Sequence, residues 1–425
     1  MREKIAFVVF YQKKNFFSFN ALIGALETVN ELNDIKLYFI RGFENLKNKL
    51  DRICENHQLV VLGISFFTTQ LWKINDLLKL LRAKYKEKVL FIAGGPHPTG
   101  DPEGTLKMGF DIVVVGEGEE TLIEILLNVK INRNFDAIRG IAYFNKDKIL
   151  ITTKKRRWID LDKYPPLPVK NIKFGSLEIT RGCPYACYFC QTPYLSGTLP
   201  RHRSIKSICN AVSIMKMYDK TDIRFITPNA FSYGSLDGKT LNIPLLEKLL
   251  IEITKIIKPI GKIYLGSFPS EVRPEHVTKE TLGLILKYAA NNNIVIGAQS
   301  GSQRVLNSCH RGHSTSDVYN AVKLTLEAGL IPIVDFIFNL PHETEEDIDL
   351  TIDFMYKISD MGAKIHSHTF MPLPLTMFAY EDVKEVDEKV LNAISKLSSR
   401  GLVFGEWKKQ EKIAKNISNY LKKIN

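Results

Sequence analysis

The sequence predicts an α/β protein with two successive folds. An N-terminal open parallel sheet of Rossmann or flavodoxin-like type precedes a six-strand partial (β/α)6 TIM-like barrel and a helical tail. Three observations carry this prediction. Short apolar runs alternate twice with segments of helical spacing. Glycines and small polar residues collect directly after the runs of the first series. A proline-rich, charged stretch separates the two series.

The first series is IAFVVF (5–10), KLYFI (36–40), LVVLGISF (59–66), VLFIAGG (89–95) and DIVVVG (111–116). Intervening segments such as ALIGALETVNEL (21–32) have helical spacing, which implies crossover connections and a parallel sheet covered on both faces. Ligands of such sheets bind beyond the carboxyl ends of the strands. Those ends carry Ser65, GGPHPTG (94–100) and GEGEET (116–121). Residues 137–153 read as a hairpin around NKDK, and KKRRWIDLDKYPPLP (154–168) reads as the domain boundary.

The second series is SLEIT (176–180), DIRFIT (222–227), KIYLGS (262–267), NIVIGA (293–298), PIVDFIF (332–338) and KIHSHTF (364–370). Six units suit a partial barrel with its chemistry at the carboxyl ends of the strands. The expected divisions are 1–130, a hairpin and connector at 131–170, a barrel at 171–379 and a helical tail at 380–425.

Composition narrows the function classes. A chain of 425 residues, 45% hydrophobic and 24% charged, excludes disordered, collagen-like and disulfide-scaffold classes. No apolar stretch approaches the ~20 residues of a membrane span. The apolar part of MREKIAFVVF is too short for a signal peptide, so a cytoplasmic protein is expected. The net charge of +12 is scattered apart from KKRR (154–157) and a lysine-rich last helix (408–423), a pattern that does not select nucleic acid as a partner.

Six cysteines, at 54, 183, 187, 190, 209 and 309, are too few for a disulfide framework. Three of them form CxxxCxxC in EITRGCPYACYFCQTP, on a loop directly after the first barrel strand. Thiolates are soft ligands suited to zinc or iron–sulfur clusters. A structural zinc site needs a fourth protein ligand, and His202 is the nearby candidate. Three cysteines alone suit a four-iron cluster with one iron left open to a small molecule.

This loop resembles the signature of the radical S-adenosylmethionine superfamily, with Phe189 at its aromatic position. The resemblance implies that Cys183, Cys187 and Cys190 hold a 4Fe-4S cluster whose open iron binds S-adenosylmethionine. GAQSGSQRVLNSCHRGHS (297–314) is similar to the fourth-strand segment of the branch containing methylthiotransferases and cobalamin-dependent enzymes. That implies Gln299 and Ser300 near the ribose and methionine of S-adenosylmethionine, with Arg311 pairing its carboxylate through a forked donor. FNLPHET (338–344) matches the loop after strand five, which implies Asn339 and Leu340 near adenine. ITPNAF (226–231) departs from the usual acidic motif and leaves Asn229 as its counterpart.

An open α/β domain before such a barrel resembles the cobalamin-binding domain of cobalamin-dependent radical enzymes, on GISFFT (63–68), GGPHPTG and GEGEETL (116–122). The resemblance implies a corrin contacted by Ser65, Thr68, Gly94, Gly95, Gly116, Glu117 and Gly118. Gly95 stands where a DxHxxG motif needs aspartate, so His97 is expected to structure its loop and not to ligate cobalt. Methylthiotransferases carry three further N-terminal cysteines where this chain has only Cys54, which disfavours that activity. Cys209 is expected in a helix core, and Cys309 is a candidate substrate contact. His366 and His368 alternate on one strand face and are candidates for substrate contact or proton transfer.

The function so implied is a cobalamin-dependent radical methyltransferase of methanogen type. A 5′-deoxyadenosyl radical removes a hydrogen from an unactivated sp3 carbon, methylcobalamin supplies the methyl group, and two S-adenosylmethionine are used per turnover. A small electron-donor protein is implied as partner. One relative methylates a glutamine of methyl-coenzyme M reductase, so a peptidyl glutamine Cα is the specific expectation. The alternatives are a radical cyclase or rearrangement enzyme of lipid or tetrapyrrole biosynthesis, an iron–sulfur or cobalamin carrier, and an RNA-binding protein.

Overall fold

The computed structural model describes residues 4–131 and 133–424. The chain divides into two compact units, Met1–Gly175 and Ser176–Asn425.

The first unit is built on seven strands: β1 Ile5–Phe10, β2 Lys36–Ile40, β3 Leu59–Ser65, β4 Val89–Gly94, β5 Ile112–Val114, β6 Ile141–Phe144 and β7 Leu150–Thr152. Their order is β2-β1-β3-β4-β5-β6-β7, with the first five parallel. Every residue of β1 and β3 is buried, because helices cover both faces of a parallel sheet and leave no solvated side to alternate with. The β1/β3 junction is where strand order reverses, and the loops leaving β3, β4 and β5 share one edge of the sheet.

The hairpin expected in a separate connector instead extends this sheet, β6 pairing antiparallel with β5 and then with β7. The connector also packs onto the first unit. Ile159, Leu161 and Tyr164 join its core cluster. Gly24 lies so close to the connector that a Cβ there would stand 2.8 Å from the Pro165 carbonyl oxygen. The Glu27 carboxylate accepts backbone N–H bonds from Val169, Lys170 and Asn171 at 2.7, 2.9 and 2.8 Å and another from the Asn171 side chain.

The second unit is the barrel. It contains β8 Leu177–Glu178, the small antiparallel pair β9 Thr180–Arg181 and β10 Arg201–His202, then β11 Asp222–Ile226, β12 Lys262–Tyr264, β13 Asn293–Gln299, β14 Ile331–Phe338, β15 Lys364–Thr369 and β16 Val403–Phe404. Strands β8, β11 and β12 form one parallel sheet and β13 to β16 another, joined by a parallel bridge between Val272 and Ile296.

The tail is not purely helical, since β16 adds a seventh parallel strand beside β15. Two residues show no periodicity, so the sequence hid this strand. Gly405 permits it, because a Cβ there would lie 2.2 Å from the Ser367 carbonyl oxygen. The last helix, Trp407–Ile424, buries Ala414, Ile417 and Leu421 and caps the end of β15 through Gln410.

Glu27 ties the connector to the first unit through charge-assisted hydrogen bonds. Glu27→Ala is expected to cost that unit about 2 kcal/mol and to speed proteolysis near residues 169–175, both read against the wild-type chain.

Candidate active site

The cysteine loop grows out of β9. Gly182 has φ +95°, and a Cβ there would lie 2.3 Å from the Leu199 carbonyl oxygen, so only glycine lets the chain turn between the two segments. The loop is held by Cys183 N–H to Gly197 O (3.0 Å), Cys190 N–H to Cys187 O (2.9 Å) and Tyr188 N–H to Cys309 O (3.1 Å). Ala186 adopts φ +49°, a left-handed conformation that turns the loop back before Cys187. The three cysteines are unbridged and line one wall of a cavity of about 390 Å³. Burial pushes the Cys183 thiol up, and the neighbouring Cys187 and Cys190 add to that.

The donor set fits an iron–sulfur cluster better than a closed zinc site. His202, the nearby candidate for a fourth zinc ligand, commits one ring nitrogen to Thr180 Oγ1 (2.9 Å) and the other to the Ser235 carbonyl oxygen (2.8 Å). Arg311 occupies the neighbouring position. Its Nη1 donates to Cys187 Sγ at 3.5 Å and its Nη2 to Gly297 O at 2.7 Å. A guanidinium beside thiolates lowers the cost of holding their charge and leaves donors for a carboxylate.

Phe189, Gln299 and Arg311 line the cavity together with Thr227 and Pro228. Gln299 sits at φ +79° beside a register shift in the β13–β14 ladder, so the bulge aims its side chain. Other expected residues turn away. The Asn229 amide donates to His276 Nδ1 at 2.5 Å and accepts from Arg273 N–H at 3.3 Å, tying two loops together. Ser300 is fully buried, with its hydroxyl against Thr351 (3.2 Å) and accepting from Ser302 N–H. The Asn339 side chain donates to Lys384 O at 3.0 Å, and Leu340 lies in an apolar cluster with Val305, Phe370 and Phe378. Cys309 belongs to the same cluster and is fully buried, which pushes its thiol up to about 12. It is packing, not a substrate contact. Cys54 and Cys209 are half-buried helix residues apart from the loop.

His366 and His368 do share a face, and it points inward. His366 Nδ1 donates to Asp335 Oδ1 at 2.8 Å, and His368 Nε2 lies 3.9 Å from the same oxygen. Thr369 N–H donates to Gln410 Oε1 (2.8 Å), which leaves the Gln410 Nε2 donor 3.2 Å from His368 Nδ1. With Gln410 donating to Nδ1, His368 carries its proton on Nε2. Burial opposes the Asp335 charge, but the His366 hydrogen bond and the nearby His368 hold its carboxyl below the usual range. Asp335, His368 and Glu271 line the cavity. Neither acid stands in a recognisable motif, and the one signal in the sequence was position near a strand end.

In the first unit, the three glycine-bearing loops meet at the β3–β4–β5 edge. Gly95, at φ +97°, packs so closely that a Cβ would lie 2.7 Å from Ser65 Oγ. Gly116 has φ +86°, and a Cβ there would meet nothing within 4 Å, which leaves backbone open to a flat ligand. The Gly94 and Gly118 positions flank this opening around Val114, each with a Val114 side-chain atom within 4 Å of its would-be Cβ. Ser65 and Thr68 are nearly buried, Thr68 Oγ1 facing His97 Nδ1 at 3.2 Å. Glu117 accepts from Ile159 N–H at 2.9 Å and so positions its loop from the connector. His97 is fully buried against Phe66, in a loop-structuring role.

Burial pushes His97 down to about 4. Its proton is then taken up by the unfolded chain at a pH where the folded chain refuses it. Stability is expected to fall as pH drops from about 6.5 to about 4, by up to about 3 kcal/mol from this residue. A denaturant series at several pH values should show that component missing in His97→Gln.

Residues 177–355 match the radical S-adenosylmethionine superfamily, and residues 28–126 match the B12-binding domain. An uncharacterised methyltransferase of Pyrococcus horikoshii is 26% identical over 343 residues, which is 78% of this chain and 71% of that protein. A Methanocaldococcus jannaschii protein with a provisional methylthiotransferase name is 31% identical over 311 residues, covering 71% of this chain and 64% of that protein. The fold is that of the radical S-adenosylmethionine methyltransferase TsrM from Kitasatospora setae, with a TM-score of 0.68 at 16% identity over 89% of this chain and 75% of that one. No described helix is long and apolar enough to cross a membrane. The glycine loops after β4 and β5 thus lie in the stretch that matches the B12-binding domain, and the cysteine loop in the stretch that matches the radical S-adenosylmethionine superfamily, domains whose cofactors are cobalamin and a 4Fe-4S cluster with S-adenosylmethionine.

Proposed function

We propose that this chain is a cobalamin-dependent radical methyltransferase that methylates an unactivated sp3 carbon and consumes two S-adenosylmethionine per turnover. The observation that carries the reading is the cysteine cavity itself. Three cysteines share one wall, His202 is committed elsewhere, and Arg311 reaches over Cys187 with donors to spare. When bound, the cluster and cobalamin supply one-electron cleavage and the methyl group respectively. The protein's part is to hold and orient. Arg311 is placed to take a carboxylate, Gln299 to hydrogen-bond a polar ligand from a rigid bulge, and Phe189 to pack beside the cluster.

The named activity of the Pyrococcus relative supports methyl transfer. The methylthiotransferase name of the second relative is less favoured for this chain, because its first unit holds only Cys54. The specific reading is a peptidyl glutamine Cα of methyl-coenzyme M reductase as the methylated position, with a small electron-donor protein as reductant.

Reduced, cofactor-loaded protein incubated with S-adenosylmethionine and a glutamine-containing peptide of that enzyme should form 5′-deoxyadenosine, S-adenosylhomocysteine and a methylated peptide. Cys187→Ala should abolish 5′-deoxyadenosine completely. 5′-Deoxyadenosine without S-adenosylhomocysteine would instead indicate a radical cyclase or rearrangement enzyme. Formation of neither by wild type would overturn the radical reading.

A further inference from the structure

We propose that Glu271 is the substrate-anchoring residue of this cavity, accepting hydrogen bonds from an N–H-bearing group, carboxamide or cationic nitrogen, next to the carbon that reacts. The inference rests on the methyltransferase reading and adds the substrate's recognition chemistry.

The cavity is divided by charge. Arg311 stands on Cys187, and the cavity is also lined by Asp335 on β14 and by Glu271 in the segment after β12. The two acids differ in what they have left to offer. Asp335 is occupied by His366 and His368 and belongs to the framework. The Glu271 carboxylate makes no hydrogen bond or ion pair with any described residue, and the side chain is exposed to the cavity that it lines.

Its backbone, by contrast, is pinned. The Glu271 carbonyl accepts from Ala230 N–H at 2.9 Å. Next to it, Val272 N–H donates to Val295 O at 2.9 Å and Val272 O accepts from Gly297 N–H at 3.1 Å. A carboxylate fixed by its main chain, with no partner of its own, is preorganised for a ligand donor. Its depth in the cavity, then the Asp335 charge, pushes Glu271 up, so a donor or cation from outside would stabilise its ionised form. The charges that bear on it are those of Asp335, His368 and Arg311, and no cysteine is among them. Of these, Asp335, named first, and His368 stand on β14 and β15, and we therefore assign Glu271 to substrate and not to S-adenosylmethionine.

The test uses the full chain, loaded with cluster, cobalamin and S-adenosylmethionine, and two probes, N-acetylglutamine methylamide and N-acetylarginine methylamide, titrated calorimetrically. Wild type should bind at least one. Glu271→Leu should weaken that probe about 10- to 100-fold, the loss of a hydrogen bond to a charged group. S-adenosylmethionine affinity should fall less than that of the probe. Glu271→Gln separates the two sources: it should retain most of the glutamine probe's affinity and lose the arginine probe's. Failure of wild type to bind either probe, equal binding by wild type and Glu271→Leu, or a weakening of S-adenosylmethionine in place of the probe would overturn the assignment. 5′-Deoxyadenosine formation by the wild type tests the broader radical reading separately from this outcome.

Discussion

Parallel pairing forces each strand's outgoing loop to leave from the same edge, and both units of this chain depend on that geometric constraint. In the first, it gathers the loops after β3, β4 and β5, so that Ser65, Gly95 and Gly116 meet although separated by up to 51 residues in sequence. In the second, it delivers the cysteine loop, Gln299 and Glu271 to one cavity. The helices supply burial and the strands supply position, while the chemistry stands where neither finishes its hydrogen bonding.

Electrostatics then gives the cavity a direction. Arg311 stands at the thiols, where negative charge is held, and its anchor on Gly297 O keeps it there. The Asp335 charge, in the same cavity, is bound internally. Asp335 is held by His366 and His368, and His368 is fixed in one tautomer by Gln410 of the last helix. The tail thus contributes to the site through that amide and through Phe404, stacked on His366 with ring centroids 4.8 Å apart. In a low-dielectric cavity, a network satisfied in this way resists rearrangement and leaves Glu271 as the uncommitted acid.

Much of this was legible in the sequence, for local reasons. CxxxCxxC is a contiguous ligand set, and the glycine loops follow apolar runs that only strands explain. The inward pairing of His366 and His368 follows from strand alternation. What was not legible depends on partners distant in sequence. Asn229 and Ser300 look like ligand contacts in their motifs, yet His276, Arg273 and Thr351 claim their polar atoms. Cys309 stands two residues from Arg311, but the single turn of helix between Gln303 and Ser308 directs it into the apolar cluster. Strand β16 and the role of Gln410 are too short or too remote to leave any periodic signal.

The central claim, that one chain carries both a three-cysteine cluster and a corrinoid, is tested most directly by metal content. Protein purified without oxygen from cells supplied with cobalamin should contain about four irons and about one cobalt per chain. Zinc in place of iron, with no cobalt, would contradict the account and return the cysteine loop to a structural metal site.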